Sequence, residues 1–447
     1  MASRYPHRRS FCRAHGTRRP VRLAGRWSPL FALLLALVFA MGCGSKTGLD
    51  APDAESDAMT DADAEITIPC VELPGPNADP IELPLDTEAQ LASADVVFLI
   101  DVTASMQDEI DRIRDQLRDR LAPAIEGAIP DAQFAVASFA DFPVDPFGAQ
   151  EDSPFELLLP MSSDLSRVQA AVDSLNLGNG RDEPESQVEA LYQIATGEGL
   201  GTDDDPIIPP LLGCPAGGSG YPCFRDEALP VILLFTDAPF HNGPEGRNGY
   251  PSGRIVPAPH TYEQARVALN ELEVRVIGFD SGDGEAERDL RQLAIDTGAF
   301  STDGSPLVSD IGRRGERLGT QVVDTIRRFA EGVVFDVDLV LNDPMPGDGV
   351  DVTSFVEEVV PLRAVPADGV ESIDVEAGIF RGVRSGTRVV FQLSLRNDIL
   401  TPGPEPQEFF LEVIFRGDGR TQLARRLVRL VIPGEDGAGC GALLTGP

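Results

Sequence analysis

The stretch "VVFLIDVTASMQDEI", Val96 to Ile110, decides the fold. Apolar residues run unbroken to Asp101, which reads as a strand buried on both faces rather than one side of a solvated sheet. Met106, Ile110, Ile113, Leu117 and Leu121 then recur at helical spacing, with Asp and Arg filling the other face. A buried strand feeding straight into an amphipathic helix is the first half of a strand-helix-strand unit. Asp101, Thr103 and Ser105 fall on the turn between the two, where such units present side chains to ligands.

Working outward, the same alternation continues from Asp95 to about Glu331. The strand-like runs are "DVVFLID", "QFAVASF", "FELLL", "LPVILLFTD" and "EVRVIGFD", separated by helical segments such as "DLSRVQAAVDSL", "TYEQARVALNEL" and "GERLGTQVVDTIRRFA". This predicts an α/β domain at 95–331, a doubly wound, mainly parallel sheet with helices on both faces. After Glu331 the period changes to two. Phe335, Val337, Leu339 and Leu341 alternate with polar residues, as do Val389 to Leu395 and Phe409 to Phe415, predicting a C-terminal antiparallel β-sandwich at 332–447. "FRGDGRTQ" reads as a hairpin turn within it, and its Arg416-Gly417-Asp418 as turn chemistry rather than an adhesion tripeptide.

The N-terminus reads as an export signal over 1–42. Eight Arg and no acidic residue precede and flank the apolar run Leu30 to Met41. That run is short for a membrane span of about 20 residues and suits a cleaved signal. Ala40-Met41-Gly42-Cys43 resembles a bacterial lipoprotein box, with Cys43 as the lipid-modified residue; a simple cleaved signal is the alternative. Residues 43–66, "DAPDAESDAMTDADAE" among them, are small and acidic and read as a disordered tether. Residues 67–94 are a linker or strand segment assigned here to the sandwich.

The chain of 447 residues carries 37 basic and 72 acidic residues; without its leader 29 basic residues remain, a net charge near −43. Nucleic acid is therefore excluded as a partner, since phosphate contacts need clustered Lys and Arg, and cations and basic surfaces are favoured. Four Cys remain for an oxidising compartment. Cys214 and Cys223 flank the short loop "PAGGSGYP", which leaves Cys70 with Cys440. Zinc is the competing reading, but only His241 and His260 survive processing and no Cys-x-x-Cys pair exists.

Three predicted strand ends carry oxygen ligands. "FLIDVTAS" offers Asp101, Thr103 and Ser105; "LLFTDAP" offers Asp237; "GNGRDEPES" offers Asp182 and Glu185. Carboxylates and neutral hydroxyls together suit a hard divalent ion such as Mg²⁺, which takes six oxygens near ~2.1 Å and leaves a position for an outside carboxylate. The plainer reading makes Asp101 and Ser105 helix caps, which leaves Glu185 and Asp237 unexplained.

At these residues the sequence resembles the von Willebrand factor type A family, whose signature is Asp-x-Ser-x-Ser at the end of the first strand; Thr103 replaces the middle Ser. "SFADFPVDP", "DEPE" and "LLFTDAPFH" are similar to segments of the integrin β variety. The resemblance implies a Rossmann-like VWA fold and a metal-ion-dependent adhesion site. Mg²⁺ or Mn²⁺ would be held by Asp101, Thr103, Ser105, Glu185 and Asp237. It further implies a flanking Ca²⁺ on Asp141, Asp182, the Pro184 carbonyl and Glu185, and a second flanking site at Asp108 and Glu109. Against these stand ordinary roles: turn formation for Asp141 and Asp182, and a helix N-terminus for Asp108 and Glu109. The expected function is a metal-dependent adhesion or interaction module, taking a carboxylate of a protein ligand and reaching the membrane through a lipid anchor only. The alternatives are a structural envelope component with a vestigial site, or a metal-dependent hydrolase. No Gly-x-Ser-x-Gly or His-Glu-x-x-His motif supports the last.

Overall fold

The computed structural model describes residues 68–441, apart from 77, 203–204, 215–216 and 283. The leader, Cys43 and the acidic tether lie outside the described residues. In chain order the strands are β1 (Cys70–Glu72), β2 (Ile81–Ala89), β3 (Ser93–Asp101), β4 (Asp131–Phe139), β5 (Glu156–Ser162), β6 (Leu229–Thr236), β7 (Arg275–Asp280) and β8 (Val308–Asp310). Interleaved with β3 to β8 are α1 (Gln107–Gln116), α2 (Ala122–Ala128), α3 (Leu165–Asp173), α4 (Gln187–Thr196), α5 (Tyr262–Glu271) and α6 (Glu285–Asp296). The helix α7 (Leu318–Gly332) leads into β9 (Val334–Asn342), β10 (Val356–Val365), β11 (Ser372–Asp374), β12 (Ile379–Arg384), β13 (Thr387–Leu395), β14 (Gln407–Gly417) and β15 (Thr421–Ile432). Two short hairpins, near 200–208 and 218–225, complete the described strands.

The α/β sheet has the order β8-β7-β6-β3-β4-β5, parallel except for the edge strand β5. Every residue of β3 and of β6 is buried, as an unbroken apolar run requires. Successive side chains point to opposite faces and so feed two cores. Val96, Phe98 and Ile100 pack with Ile110, Ile113, Ile326 and Phe329 of α1 and α7, while Val97 and Leu99 pack with Leu191, Leu269 and Leu293. Phe98 lies between Phe134 and Phe235, with ring centroids 6.0 and 6.4 Å away. Truncating such a ring to Ala costs about 3–5 kcal/mol.

The apolar stripe Met106, Ile110, Ile113, Leu117 and Leu121 is buried in full. The regular helix expected through it is interrupted by a π-turn at Leu117–Leu121. Pro123 follows in the first turn of α2; without an N–H and with a ring that crowds the preceding turn, it coincides with the change of pitch.

The strand order reverses between β3 and β6. From β3 the chain winds outward to β4 and β5, then returns on the other side through β6, β7 and β8. The carboxyl ends of β3 and β6 therefore diverge into loops on opposite sides and leave a crevice between them.

The second layer is a sandwich of two sheets, β1-β15-β14-β9-β12-β11 and β10-β13-β2. Strand β2 pairs with β13 along its whole length, from Ile81 opposite Leu395 to Ala89 opposite Thr387, and β1 runs parallel to β15. Strands on both sides of the α/β segment thus build one sandwich, and the α/β layer is an insertion between β2 and β9. Phe391, Leu393, Leu411, Val413 and Phe415 face its interior, which merges with the α1/α7 side of the parallel sheet into one continuous core. Disulfides join Cys70 to Cys440 and Cys214 to Cys223, as an oxidising compartment permits. No helix among the described residues is long and apolar enough to cross a membrane.

The "FRGDGRTQ" hairpin is turned inward. Arg416 forms a two-pronged pair with Asp338 at 3.0 and 2.6 Å, Asp418 accepts from the Asp336 amide, and Arg420 donates to the Leu272 carbonyl. Its charged groups are committed to the fold, as turn chemistry predicts.

Candidate metal centre

The crevice between β3 and β6 is where the chemistry collects. Asp101, the last residue of β3, is fully buried. Its Oδ1 accepts from the Thr103 amide at 2.9 Å and the Thr103 hydroxyl at 2.7 Å, and its Oδ2 accepts from Thr236 Oγ1 at 2.7 Å. The Ser105 hydroxyl lies 3.3 Å from Thr103 Oγ1 and donates to Asp237. Neither helical segment that follows has a side-chain cap. The capping reading of Ser105 therefore fails, since its hydroxyl faces the crevice.

Glu185 arrives from a third loop. Its amide donates to Pro239 O at 3.0 Å and its carbonyl accepts from the His241 amide at 2.8 Å, so the "DEPES" loop zips onto the segment after β6. Gly180 covers the carboxylate. A Cβ there would stand 2.6 Å from Glu185 Oε1 and 3.3 Å from a Thr103 methyl, and its φ of +57° suits glycine. Asp152, from before β5, holds this loop by accepting from the Asn179 and Gly180 amides at 2.8 and 3.1 Å.

Hydrogen bonds thus join Asp101 to Thr103 and Ser105 to Asp237, and Glu185 approaches Thr103 across Gly180; among the described residues, the three acidic or histidine side chains that bring one ligand atom each within 4.8 Å are Asp141, Asp182 and His241. The proposed flanking residues divide. Asp141 is fully buried beside the half-buried Asp182, and Pro184 lies on the same loop. Glu109 is buried and turned toward Asp237 and Ser281. Its neighbour Asp108 points to solvent, 3.5 Å from the Arg314 guanidinium. Adjacent helical residues lie about 100° apart around the axis, so one enters the crevice and the other leaves it.

The electrostatics are severe. Burial, then repulsion from Asp237, lifts Asp101 to about 7. Burial, then repulsion from Asp101, Asp141 and Asp182, lifts Glu185 to about 11. Burial likewise raises Glu109 to about 7, Asp141 to about 8, and Asp182 and Asp237 in the same direction. Oxygens of Glu109, Asp141, Asp182, Glu185 and Asp237 are buried with no hydrogen-bond partner. Carboxylates left so cost several kcal/mol each unless a cation or protons compensate them. Five of them at one crevice fit a cation-binding shell of hard oxygens.

Several residues of this shell carry no sequence signal. Thr236 donates to Asp101 and accepts from Gln187 Nε2 at 3.0 Å and from the Ala238 amide at 3.2 Å. The Tyr250 hydroxyl donates to Asp141 Oδ1 at 2.5 Å. His241 stands between Asp141 and Asp182. Thr236 lies within the quoted "LLFTD" run, but a Thr ending a β-branched strand looks like strand propensity. Tyr250 and His241 belong to a loop whose path no periodicity reveals.

No family model matches the chain, and no curated protein matches it. Solved structures do. A von Willebrand factor type A protein from Catenulispora acidiphila is 14% identical over 82% of this chain and 72% of its own, with a TM-score of 0.36. The pilus adhesin SpaC from Lactobacillus rhamnosus GG, in its open conformation, is 13% identical over 80% of this chain and 45% of its own, at 0.32. Proximal thread matrix protein 1 from the mussel byssus is 14% identical over 57% and 51%, also at 0.32. The chain spans less than half the length of the pilus adhesin.

Proposed function

We propose that the inserted α/β layer is a von Willebrand factor type A module of the integrin β-like kind. In this reading Mg²⁺ or Mn²⁺ is held by Asp101, Thr103, Ser105, Glu185 and Asp237, and the bound cation accepts a carboxylate from a protein ligand. When bound, the ion supplies a Lewis-acidic position for that carboxylate. The chain's own groups do the rest. Thr236 and Thr103 hold the Asp101 carboxylate in one orientation, Asp152 and Gly180 seat the Glu185 loop, and the two hydroxyls add oxygens without adding charge. The observation that carries the reading is the pair of buried, unpartnered carboxylate oxygens of Glu185 and Asp237 beside the buried Asp101 at the strand-order reversal.

The protein is thereby an adhesion or interaction module rather than an enzyme. The carboxylates and hydroxyls of the principal shell suit holding a cation and its ligand. Export follows from the two disulfides, and display on a lipid at Cys43 through the acidic tether belongs to the same proposal. Calorimetric titration of the chelator-stripped chain tests it. One Mg²⁺ or Mn²⁺ is expected per site, uptake is lost in Asp101→Ala, and addition of a Glu- or Asp-bearing peptide evolves heat only with the metal present. Unchanged uptake in Asp101→Ala sinks the reading.

A further inference from the structure

Asp141, Asp182 and His241 each place one ligand atom within 4.8 Å of the others. The resemblance to integrin β subunits implies an oxygen-only calcium shell at this position; the structure puts an imidazole into it. His241 Nδ1 lies 2.6 Å from the Asn248 carbonyl oxygen. A carbonyl only accepts, so Nδ1 carries the ring hydrogen and Nε2 of the neutral ring presents a lone pair. That lone pair faces Asp182 Oδ2 at 3.2 Å and Asp141 Oδ2 at 3.3 Å. Both of those atoms are acceptors as well.

With both carboxyls ionised, three acceptors converging in a buried place repel one another unless a proton or a cation lies among them. A single proton on Nε2 serves one carboxylate and not both. Asp141 Oδ2 makes no hydrogen bond even at 3.3 Å from the ring, and Asp182 Oδ1 is buried without a partner too. Asp141 is fully buried and His241 nearly so, while Asp182 is partly exposed. A divalent ion satisfies all three atoms at once.

The surroundings fix these ligands as supporting groups fix a metal site. Asp141 Oδ1 is occupied by the Tyr250 hydroxyl and the Phe142 amide, both at 2.5 Å, which aims Oδ2 at His241. Tyr250 stacks on the imidazole with centroids 4.0 Å apart, and Phe147 meets it edge-on at 5.5 Å. The Asn248 carbonyl that selects the tautomer is itself held by the Asn242 amide at 3.2 Å.

We infer that Asp141, Asp182 and His241 form a second cation site, selective for a borderline transition ion such as Zn²⁺ or Co²⁺ over Ca²⁺, Mg²⁺ and Mn²⁺. One imidazole nitrogen with two carboxylate oxygens matches the ligand preference of those ions, whereas Ca²⁺ and Mg²⁺ prefer oxygen throughout. Three protein ligands leave a further position open. The site shares no ligand with the principal shell and stands apart from the function proposed above.

The test uses the full mature chain, stripped with chelator and dialysed against Zn²⁺ or Co²⁺ in excess Mg²⁺. Bound metal is counted by mass spectrometry, and the Co²⁺ form is read by its visible absorption. One transition ion per chain is expected, lost in His241→Ala, weakened about 10–100-fold in Tyr250→Phe, and retained in Asp101→Ala. A ¹⁵N spectrum of the wild type keeps the idea testable should His241→Ala misfold: on Zn²⁺ addition the His241 Nε2 resonance is expected to move to a metal-bound position. Equal Zn²⁺ uptake by His241→Ala, or an Nε2 resonance that does not move with Zn²⁺ in excess, overturns the inference. Failure of Mg²⁺ uptake in the wild type would bear on the principal shell alone.

Discussion

Thr236 Oγ1 donates to Asp101 Oδ2 across 2.7 Å, linking the ends of two adjacent parallel strands from which the crevice opens. The hydroxyl also accepts from Gln187 at the start of α4, so one side chain ties together β3, β6 and the helix behind the Glu185 loop. Thr236→Val keeps the shape and removes this tie. Mg²⁺ affinity is expected to fall about 10–100-fold, and stability by about 1–3 kcal/mol for the buried carboxylate oxygen left unpaired. Calorimetry and denaturant unfolding measure the two; affinity equal to wild type would show that Thr236 does not orient the carboxylate.

Gly180 lets the "GNGRDEPES" loop close over Glu185. In Gly180→Ala the added methyl meets the Glu185 carboxylate and the backbone is held at positive φ. A stability loss of about 1–2 kcal/mol is expected from the backbone alone, together with weaker Mg²⁺ uptake. The parent and variant compared by thermal unfolding, with and without Mg²⁺, would reveal it as a smaller metal-induced rise in Tm.

The metal-free chain has an unusual pH dependence. Asp101 and Glu109 titrate at about 7, Asp141 at about 8 and Glu185 at about 11, all raised by burial first. Unfolded carboxyls titrate near ~4. The folded state then holds protons that the unfolded chain has already released, so stability falls as pH rises from about 4 through about 11, most steeply up to about 8 where Asp101, Glu109 and Asp141 contribute together. Tm of the metal-free chain is expected to decline across that window, and Mg²⁺ to restore it at the alkaline end while releasing protons. The decline should be shallower in Asp101→Asn. A metal-free Tm that climbs over the same window would contradict the burial of ionised groups.

At the opposite end of the sheet, Asp95 of β3 is fully buried beside Arg225, whose Nε lies 2.7 Å from Oδ1 and whose amide lies 2.5 Å from Oδ2. Arg225 also grips Asp131 at the start of β4. Burial nonetheless outweighs the arginine and leaves the Asp95 pKa raised. Arg225→Ala strands the carboxylate and is expected to cost about 3–5 kcal/mol. Arg225→Ala with Asp95→Asn should recover part of that loss, as a double-mutant cycle in urea would show.

The Cys70–Cys440 bridge closes a loop of 370 residues and ties β1 to the tail beyond β15. Replacing both cysteines by Ser is expected to cost about 2–5 kcal/mol. The α/β layer keeps its own core, so Mg²⁺ uptake should survive the change. Unfolding curves and calorimetry of the double variant check both halves.

Much of this molecule was settled by local pattern. The unbroken apolar runs "VVFLI" and "VILLF" had no alternative to central strands, and the Met106–Leu121 stripe none to a buried helical face, because burial on two faces or one leaves a distinct period in the residues. Period two after Glu331 likewise marked the sandwich. Asp101, Asp237 and Glu185 were legible as neighbours at the strand-order reversal because each follows or faces a strand end, and strand ends of a doubly wound sheet meet. What tertiary structure alone decided was convergence at the scale of single atoms. Register and loop path put the Glu109 carboxylate in the crevice and Asp108 outside it. They brought His241 between two aspartates, and they paired β2 with β13 across some three hundred residues of intervening chain. Such contacts join residues remote in sequence through loops without period, and no property of either residue announces its partner.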